Sequence, residues 1–458
     1  MANFIQLIAD RKESIAKHTI FQKSYLFYAL LRYWHLSRWR NDIYGAYAVT
    51  LKYERIAASV SGWKASSTIR RINSRLVTDI KRNKGKNVLL NSYVTSIAAN
   101  QYRDEFRKYG WEHQIRLKYP REHDGPFRQG DLLLLKPYMN DREKGVIFIQ
   151  YNDAFDKFVS IYDLTQVATF YRIVLEPSTW GYCDPSILFF LSAGTDVIVQ
   201  AQHASDFEYI RSLDTNLTPL RMGAGDWIDP DRFQTRPVSE KVYDIVMVAS
   251  WQRIKRHELL FRAIGKCGSK VKKIALIGYP SEGRTREDVL READKYAIAE
   301  KIDIYESISR AEVGTLIGQS RIGVMLTLRE GANKGIYECF FSGVPVVISS
   351  ENIGVNRDHI NQHTGIAAAD HDLDQKMLYL LSNLHNYAPR EWALKNTGYK
   401  NSSQLLNKCL RECAIRMGEE WTKDIFAKKN DTYAQYILDD DRMEADRAIV
   451  HLGRLLRQ

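Results

Sequence analysis

The chain alternates, in two successive series, between short apolar runs of strand length and longer segments of helix length. This alternation is typical of parallel βαβ units, in which a helix carries the chain from one strand to the next. A polar, turn-rich stretch, DPDRFQTRP at residues 229–237, separates the two series as a linker does. The pattern therefore predicts an α/β protein with two Rossmann-like, doubly wound domains that face each other across a cleft.

The predicted elements divide the chain into four segments. The first series has predicted strands at 87–93, 145–150, 170–175 and 196–200, and a helix at 97–109. The second has predicted strands at 243–249, 273–277, 302–304, 322–326 and 345–349. The resulting segments are a helical N-terminal extension at 1–86, Rossmann-like domains at 87–235 and 236–385, and C-terminal helices at 386–458.

Composition excludes several classes of protein. At 458 residues the chain needs more than one core, because single cores rarely exceed about 250–300 residues. No run reaches the roughly 18 apolar residues that cross a bilayer, and charges interrupt the first residues too early for a secretory signal. The five cysteines form no CxxC pair, which argues against a zinc site or a disulfide framework. We expect a cytoplasmic protein.

The excess positive charge is confined to the first segment. Residues 1–86 contain 17 Lys and Arg against 5 Asp and Glu, a charge of +12, whereas the whole chain carries +11. Aromatic residues alternate with cations there, as in YWHLSRWR at residues 33–40. This composition suits an interfacial helix on an anionic membrane. It also suits a helical subdomain that packs its aromatic residues on the first sheet. A nucleic-acid role is the third reading, for which the sequence has no recognition motif.

The strongest chemical signal is a pair of glutamates, Glu330 and Glu338, around a small-residue turn and a helix start. Backbone N–H groups at such a start, helped by the cation of Lys334, are a ready site for phosphate. Carboxylates accept hydrogen bonds from sugar hydroxyl groups. A nucleoside diphosphate sugar, with a sugar on either side of the diphosphate, fits this spacing. The alternative is that both glutamates only favour an early helical turn through the helix dipole.

The stretch EGANKGIYECFFSGVPVV at residues 330–347 resembles the E-x7-E signature of family 4 retaining glycosyltransferases, which have the GT-B fold. The resemblance covers roughly residues 87–385. It implies that Glu330 contacts the hydroxyl groups of the donor sugar and that Glu338 binds the ribose. Backbone amides around residues 332–335 would hold the diphosphate. The donor-binding residues implied here are Gly331, Ala332, Asn333, Lys334, Gly335 and Glu338.

A second segment, VMVASWQRIKRHELLFRA at residues 246–263, resembles the strand, basic loop and helix in which an Arg and a Lys of the family clasp the diphosphate. Lys255 matches the Lys, whereas Ser250 stands at the place of the Arg. Arg253 and Arg256 are both candidates to replace it. Two further departures are the absence of a Gly-rich turn after the strand at 87–93 and of a His at residues 175–180.

The resemblance implies a metal-independent, retaining hexosyltransferase with Glu330 and Lys255 as catalytic residues and with no cofactor. The leaving phosphate would take the proton of the acceptor, a glycan or a lipid-linked molecule, so no dedicated base is needed. The expected place is the cytoplasm, with the inner face of a membrane as a candidate partner of residues 1–86. The alternatives are a nucleotide-sugar epimerase or hydrolase on the same scaffold and a non-catalytic polyanion-binding protein.

Overall fold

The computed structural model describes residues 19–60, 62–83, 86–116, 127–128, 130–178, 183–331 and 334–457. Within these ranges it contains two α/β domains with largely parallel sheets and a helical N-terminal extension. The fold class predicted from the sequence, the GT-B arrangement of two Rossmann-like domains, is therefore confirmed.

The first sheet, as far as the described residues show it, has five strands in the order β1-β2-β3-β4-β5. Their bounds are β1 Leu132–Lys136, β2 Gly145–Gln150, β3 Tyr171–Glu176, β4 Val197–Gln200 and β5 Leu217–Leu220. β1 pairs antiparallel with β2, and the other pairs are parallel.

The second sheet has six strands within the described part of the chain, in the order β11-β10-β9-β6-β7-β8, and all its pairs are parallel. Their bounds are β6 Tyr243–Val248, β7 Ile274–Gly278, β8 Ile302–Glu306, β9 Ser320–Met325, β10 Val346–Ser349 and β11 Gly365–Ala368. Counted from β6, this is the strand order of a doubly wound nucleotide-binding domain. The order reverses between β6 and β9, and ligands of such sheets bind at the carboxyl ends of the strands at this switch point.

The α-helices of the first half are α1 Thr19–Trp34, α2 Ile43–Lys52, α3 Glu54–Ser59, α4 Lys64–Arg82, α5 Val88–Val94, α6 Ile97–Arg116, α7 Asn152–Ile161, α8 Leu164–Phe170, α9 Pro185–Phe189 and α10 Ala204–Ser212. Those of the second half are α11 His257–Cys267, α12 Arg286–Asp294, α13 Arg310–Gly318, α14 Gly335–Phe341, α15 Leu373–Ser382, α16 Pro389–Asn396, α17 Gly398–Arg416 and α18 Asp439–Ala448. A two-stranded hairpin, β12 Lys428–Asn430 and β13 Ala434–Tyr436, precedes α18.

The end of the chain completes the core of the first domain. Leu406 and Leu410 of α17 pack with Leu133 of β1 and Phe148 of β2 on one face of the first sheet. The other face packs against helices of the first half, α5 and α7 among them, and against residues that follow α18, such as Leu452. The first sheet is therefore covered on both faces only because residues from both halves of the chain meet there.

The predicted strand at 87–93 is wrong, since these residues form α5. Asn87 caps this helix: its side-chain oxygen accepts hydrogen bonds from the backbone N–H groups of Leu89, at 3.1 Å, and Leu90, at 3.2 Å. Leu89, Leu90 and Tyr93 are buried together, and a helix places residues three and four positions apart on one face. The first strand is instead β1, which the sequence analysis did not identify.

The N-terminal extension is helical, as predicted, and has a core of its own. Leu26 and Leu30 of α1 are buried with Val60 and with Ile69 of α4. None of the helices in the described ranges is long and apolar enough to cross a membrane.

The carboxyl ends of the two sheets face each other. The side-chain amide of Gln202, which follows β4, donates to the backbone carbonyl of Gly354, which follows β10. Arg221, which follows β5, contacts Asn356 Oδ1 at 2.8 Å and Asp358 Oδ2 at 2.7 Å. These contacts form one end of the cleft between the domains.

Candidate functional site

The loop that follows β9 holds Glu330 in a fixed position. The backbone N–H of Glu330 donates to the carbonyl of Ile353 at 2.9 Å, and the N–H of Ile353 donates to the carbonyl of Leu328 at 2.7 Å. Gly354 comes so close that a Cβ atom there would overlap the carbonyl oxygen of Glu330, and its φ of +124° is one that favours glycine. The backbone of Glu330 is therefore held rigidly at the switch point, which restricts where its carboxylate can lie.

The loop after β6 brings Lys255 to the same place. Its Nζ lies 2.8 Å from Oε2 of Glu330, and the two side chains are 19% and 16% exposed. The hydroxyl of Thr327 donates to the carbonyl of Ile254 at 3.1 Å and so ties the two loops together. The two residues predicted to be catalytic, 75 positions apart in the chain, therefore form a partly exposed ion pair at the junction of β6 and β9.

The two arginines considered for the diphosphate point to different partners. Arg256 adopts a left-handed backbone conformation, with φ of 62°, and its guanidinium contacts the carboxylate of Asp370 and the carbonyl of Leu326. Arg253 lines a polar cavity together with Glu282 and Arg284. Ser250, at the place of the family's Arg, is buried.

The turn between the two glutamates is described only in part. Gly331 and Lys334 lie on either side of Ala332 and Asn333, which are outside the described residues. The helix α14 begins at Gly335, where a Cβ atom would meet nothing within 4 Å, so the helix start faces open space. The ammonium group of Lys334 donates to the backbone carbonyl of Asp431, and burial lowers the pKa of this lysine.

Glu338 lies on α14 and is only 4% exposed. Its Oε1 accepts a hydrogen bond from the guanidinium of Arg310 at 2.8 Å. Burial raises the pKa of the Glu338 carboxyl, and the positive charges of Arg310 and Lys334 oppose that shift. The sequence analysis missed Arg310, although Ser309 and Glu312 form a capping box that places it in the first turn of α13.

Glu338 and Arg310 line a cavity of about 180 Å³ that the Lys255–Glu330 pair does not line. Its other walls come from the linker, at Asp229 and Arg232, and from the C-terminal hairpin, at Lys429. The two predicted glutamates therefore have separate surroundings: Glu330 pairs with a lysine of the neighbouring loop, whereas Glu338 lines a cavity closed by other parts of the chain.

The carboxyl edge of the first sheet is occupied by a buried polar cluster. Oε1 of Glu176 at the end of β3 accepts hydrogen bonds from Gln150 at 2.5 Å and from Asn430 at 3.2 Å. Oε2 of the same carboxylate lies 3.4 Å from Nζ of Lys428, and burial lowers the pKa of this lysine to about 8. This edge has no His at the position noted in the sequence, and residues 179–180 lie outside the described ranges.

Metal binding has no support in the described residues. No group of three or more His, Cys, Asp or Glu side chains among them is placed to hold a metal ion. Metal independence itself stays a prediction.

The second domain matches a known family. The family model described as Glycosyl transferases group 1 matches residues 243–383, about a third of the chain. These residues contain both loops of the Lys255–Glu330 pair and the whole of the second sheet. No curated protein sequence gives a significant match.

Several solved structures are similar in fold at low sequence identity. Sucrose-phosphate synthase from Thermosynechococcus elongatus is 13% identical over 59% of this chain and 74% of that chain, with a TM-score of 0.46. Alr3699/HepE from Anabaena, in complex with UDP and glucose, is 10% identical over 58% of this chain and 78% of that chain, with a TM-score of 0.45. The α,α-trehalose-phosphate synthase from Burkholderia vietnamiensis is 12% identical over 59% of this chain and 72% of that chain, with a TM-score of 0.44.

Proposed function

We propose that the chain is a retaining glycosyltransferase that moves a hexose from a nucleoside diphosphate sugar to a glycan or lipid-linked acceptor. The observation that carries the proposal is the ion pair of Lys255 and Glu330 at the switch point of the second sheet. It lies within the residues that match the glycosyltransferase family model. A cation and a carboxylate side by side suit a ligand that presents a phosphate next to a hydroxyl-bearing sugar.

The cation acts on the leaving group. A lysine ammonium has three N–H donors, and Glu330 accepts one of them at 2.8 Å, which leaves two for phosphate oxygens. When the bond between the anomeric carbon and the diphosphate breaks, negative charge develops on the phosphate oxygen. Lys255, and the backbone N–H groups that open α14, would stabilise this charge without reorganising, as the donors of an oxyanion hole do.

The carboxylate positions the sugar. Glu330 would accept hydrogen bonds from sugar hydroxyls while Lys255 donates its remaining N–H groups to the phosphate. The proton of the acceptor hydroxyl passes to the leaving phosphate as the new glycosidic bond forms, so both charge and atoms balance without a dedicated base. Retention of the anomeric configuration and independence of metal ions belong to this proposal. A chelator such as EDTA should leave the rate unchanged.

Thermal unfolding in the presence of UDP-, GDP- and ADP-sugars tests the donor. One of these ligands should raise the Tm of the wild type, and the shift should shrink in Lys255→Met. Lys266→Met is the matched control, because Lys266 lies on the helix after the same loop and its side chain is 54% exposed. Absence of any shift for all three classes of sugar nucleotide would contradict the proposal.

Product analysis separates a transferase from the alternative activities. A transferase releases nucleoside diphosphate in proportion to glycosylated acceptor, and the new linkage keeps the anomeric configuration of the donor. An epimerase or a hydrolase converts the sugar nucleotide equally well without an acceptor. Turnover that does not respond to any acceptor would therefore favour that alternative class of enzyme.

We further propose that α1 binds the surface of an anionic membrane, which brings the enzyme to a lipid-linked acceptor. Phe27, Leu31 and Trp34 lie on one side of α1 and are 55%, 48% and 47% exposed. Another side of the same helix already packs into the core of the extension, through Leu26 for example. Exposed Lys23 and Arg32 belong to a segment of charge +12. An exposed apolar side flanked by cations suits an interfacial helix.

Sedimentation with vesicles tests this association. The wild type should bind vesicles that contain phosphatidylserine far better than neutral ones, and salt should weaken binding. Phe27→Ser/Leu31→Ser/Trp34→Ser should lower the affinity at least tenfold, because each side chain loses apolar area that the membrane would bury. The control triple variant Tyr379→Ser/Leu394→Ser/Leu405→Ser removes equally exposed apolar side chains elsewhere. Equal binding by both triple variants would contradict the proposal, and preference for RNA or DNA over vesicles would favour the polyanion-binding alternative.

A further inference from the structure

The hairpin of β12 and β13 lies outside the residues that match the family model and bridges the two domains. Side chains alternate along a strand, so Lys428 and Asn430 point one way and contact Glu176 at the edge of the first sheet. Lys429 and Asp431 have their partners elsewhere. Lys429 Nζ lies 2.8 Å from Asp229 Oδ2. Asp431 pairs with Arg232 in the linker.

Several contacts fix the hairpin in place. The hydroxyl of Tyr436 accepts a hydrogen bond from the N–H of Leu134 and donates one to its carbonyl, each at 3.0 Å. The ammonium of Lys428 lies 4.0 Å from the ring centres of both Phe148 and Trp227, which are favourable cation–π contacts. The hairpin is therefore packed firmly against the first domain, and its turn places Asp431 next to the second domain.

The tip of the hairpin reaches the predicted donor site at two points. The backbone carbonyl of Asp431 accepts a hydrogen bond from Lys334, the cation next to the start of α14. Lys429, Asn430 and Asp431 also form one wall of the cavity of about 180 Å³ beside Glu338.

The charges around this cavity indicate what it holds. Three ion pairs surround it: Arg310 with Glu338, Lys429 with Asp229, and Arg232 with Asp431. The charged side chains that line the cavity therefore cancel. A lining without net charge, in which apolar side chains such as Phe233 and Val313 accompany the ion pairs, favours an uncharged group over a phosphate. The volume is below the roughly 300–1,000 Å³ of a whole ligand pocket, so it suits one part of a ligand.

We propose that the C-terminal hairpin closes the nucleoside end of the donor site and that Lys429 and Asp431 select the nucleoside. This inference rests on the proposed function. The phosphates lie at Lys255, whereas the uncharged nucleoside enters the cavity between Glu338 and the hairpin. Two of the three ion pairs that surround the cavity have a hairpin member, so the hairpin fixes its shape and its hydrogen-bonding groups.

Calorimetric titration with two probes tests the inference. The first probe is whichever of UDP, GDP and ADP gives the largest thermal shift with the wild type, and the second is inorganic pyrophosphate, which lacks the nucleoside. Lys429→Met and Asp431→Ala should each weaken binding of the nucleoside diphosphate about tenfold and leave pyrophosphate binding unchanged. Lys429→Arg, which keeps the cation, should restore most of the affinity. Lys255→Met should weaken binding of both probes.

Two further variants complete the test: one is a control outside the cavity, and the other changes the cavity from a different helix. Asp440→Ala removes an exposed carboxylate from the helix that follows the hairpin and should change neither affinity. Ala311→Leu narrows the cavity from α13, where Ala311 is exposed, without touching the hairpin. It should weaken nucleoside diphosphate binding even if the hairpin variants fail to fold.

The outcomes distinguish the two proposals. Unchanged nucleoside diphosphate affinity in folded hairpin variants, or in Ala311→Leu, overturns the role of the hairpin and leaves the donor site intact. Equal losses for both probes in the hairpin variants would also overturn it, because the hairpin would then act on the phosphates. A wild type that binds no nucleoside diphosphate overturns the proposed function and this inference together.

Discussion

The ion pairs at the carboxyl edges of the two sheets differ in how deeply they are buried. At the edge of the second sheet, the Lys255–Glu330 pair is partly exposed and opens toward the cleft. At the edge of the first, the Lys428–Glu176 pair is fully buried, and its lysine comes from the C-terminal hairpin. A partly exposed ion pair can give up its mutual contact for a ligand at a low cost in free energy. A buried ion pair has lost its hydration, so removing one partner leaves the other charge uncompensated and destabilises the protein. Under the proposed function, the edge of the second sheet binds the ligand, whereas the buried pair at the edge of the first sheet stabilises the fold.

The largest expected effect is on stability, at the buried edge. Lys428→Met removes the ion-pair partner of the buried Glu176 carboxylate, so the free energy of unfolding should fall by about 3–5 kcal/mol. Lys428→Met/Glu176→Gln should lose less than Lys428→Met alone. Urea denaturation measures both. A loss below about 1 kcal/mol in Lys428→Met, the range of an exposed pair, would mean that the two edges do not differ as described.

The next effect is on turnover, at the open edge. Lys255→Met should lower kcat about 10²–10³-fold, the usual cost of removing one preorganised donor from a developing negative charge. Its stability should change by less than about 1 kcal/mol, because the pair with Glu330 is partly exposed. Initial rates at saturating donor and a Tm measurement check both statements. A kcat that matches that of Lys266→Met would remove Lys255 from the mechanism.

A smaller effect separates the two glutamates of the second domain. Glu338→Gln should raise the Kd of the nucleoside diphosphate about tenfold or more, since hydrogen bonds to a charged group contribute about 1.5–3 kcal/mol. Glu330→Gln should lower kcat and change this Kd little, because the nucleoside diphosphate lacks the transferred sugar. Calorimetric titration of both variants, with the exposed Glu391→Gln as control, gives the comparison. Equal Kd values in all three would contradict the assigned roles.

The smallest effect concerns how the supporting domain is built. Asn87→Ala removes the cap of α5 and should lower the free energy of unfolding by about 1 kcal/mol. Asn91→Ala, at an exposed position of the same helix, should change it much less. Urea denaturation of the two variants is the measurement. Equal stabilities would indicate that residues 87–94 do not depend on this cap.

The second domain could be predicted from the sequence because its signals are local. Its strands are apolar runs such as 243–249 and 322–326, and the structure places β6 and β9 there with small shifts. Glu330 and Lys255 follow those strands by a few residues, and parallel strands end at one edge of a sheet. The family resemblance marked both residues, and the structure places Lys255 Nζ 2.8 Å from Glu330 Oε2. Arg310, by contrast, follows β8, and only its capping box marked its position.

The first domain was harder because its decisive contacts are long-range. An apolar run such as 87–93 fits a strand or a buried helix, and the cap at Asn87 decided for the helix. The strands β1 and β5 of the first sheet were not identified, and in the second sheet β11 was missed. The partners of Glu176 at Lys428 and Asn430 lie more than 250 positions further along the chain. No pattern of neighbouring residues in the sequence predicts that polar cluster or the hairpin that supplies Lys428 and Asn430.

The most direct test is a crystal structure of the protein with the sugar nucleotide that stabilises it best. We predict that the diphosphate lies within hydrogen-bonding distance of Lys255 and of the N–H groups at the start of α14, with the transferred sugar at Glu330 and the nucleoside beside Glu338. A ligand bound at the edge of the first sheet, or bound away from Lys255 altogether, would contradict this prediction.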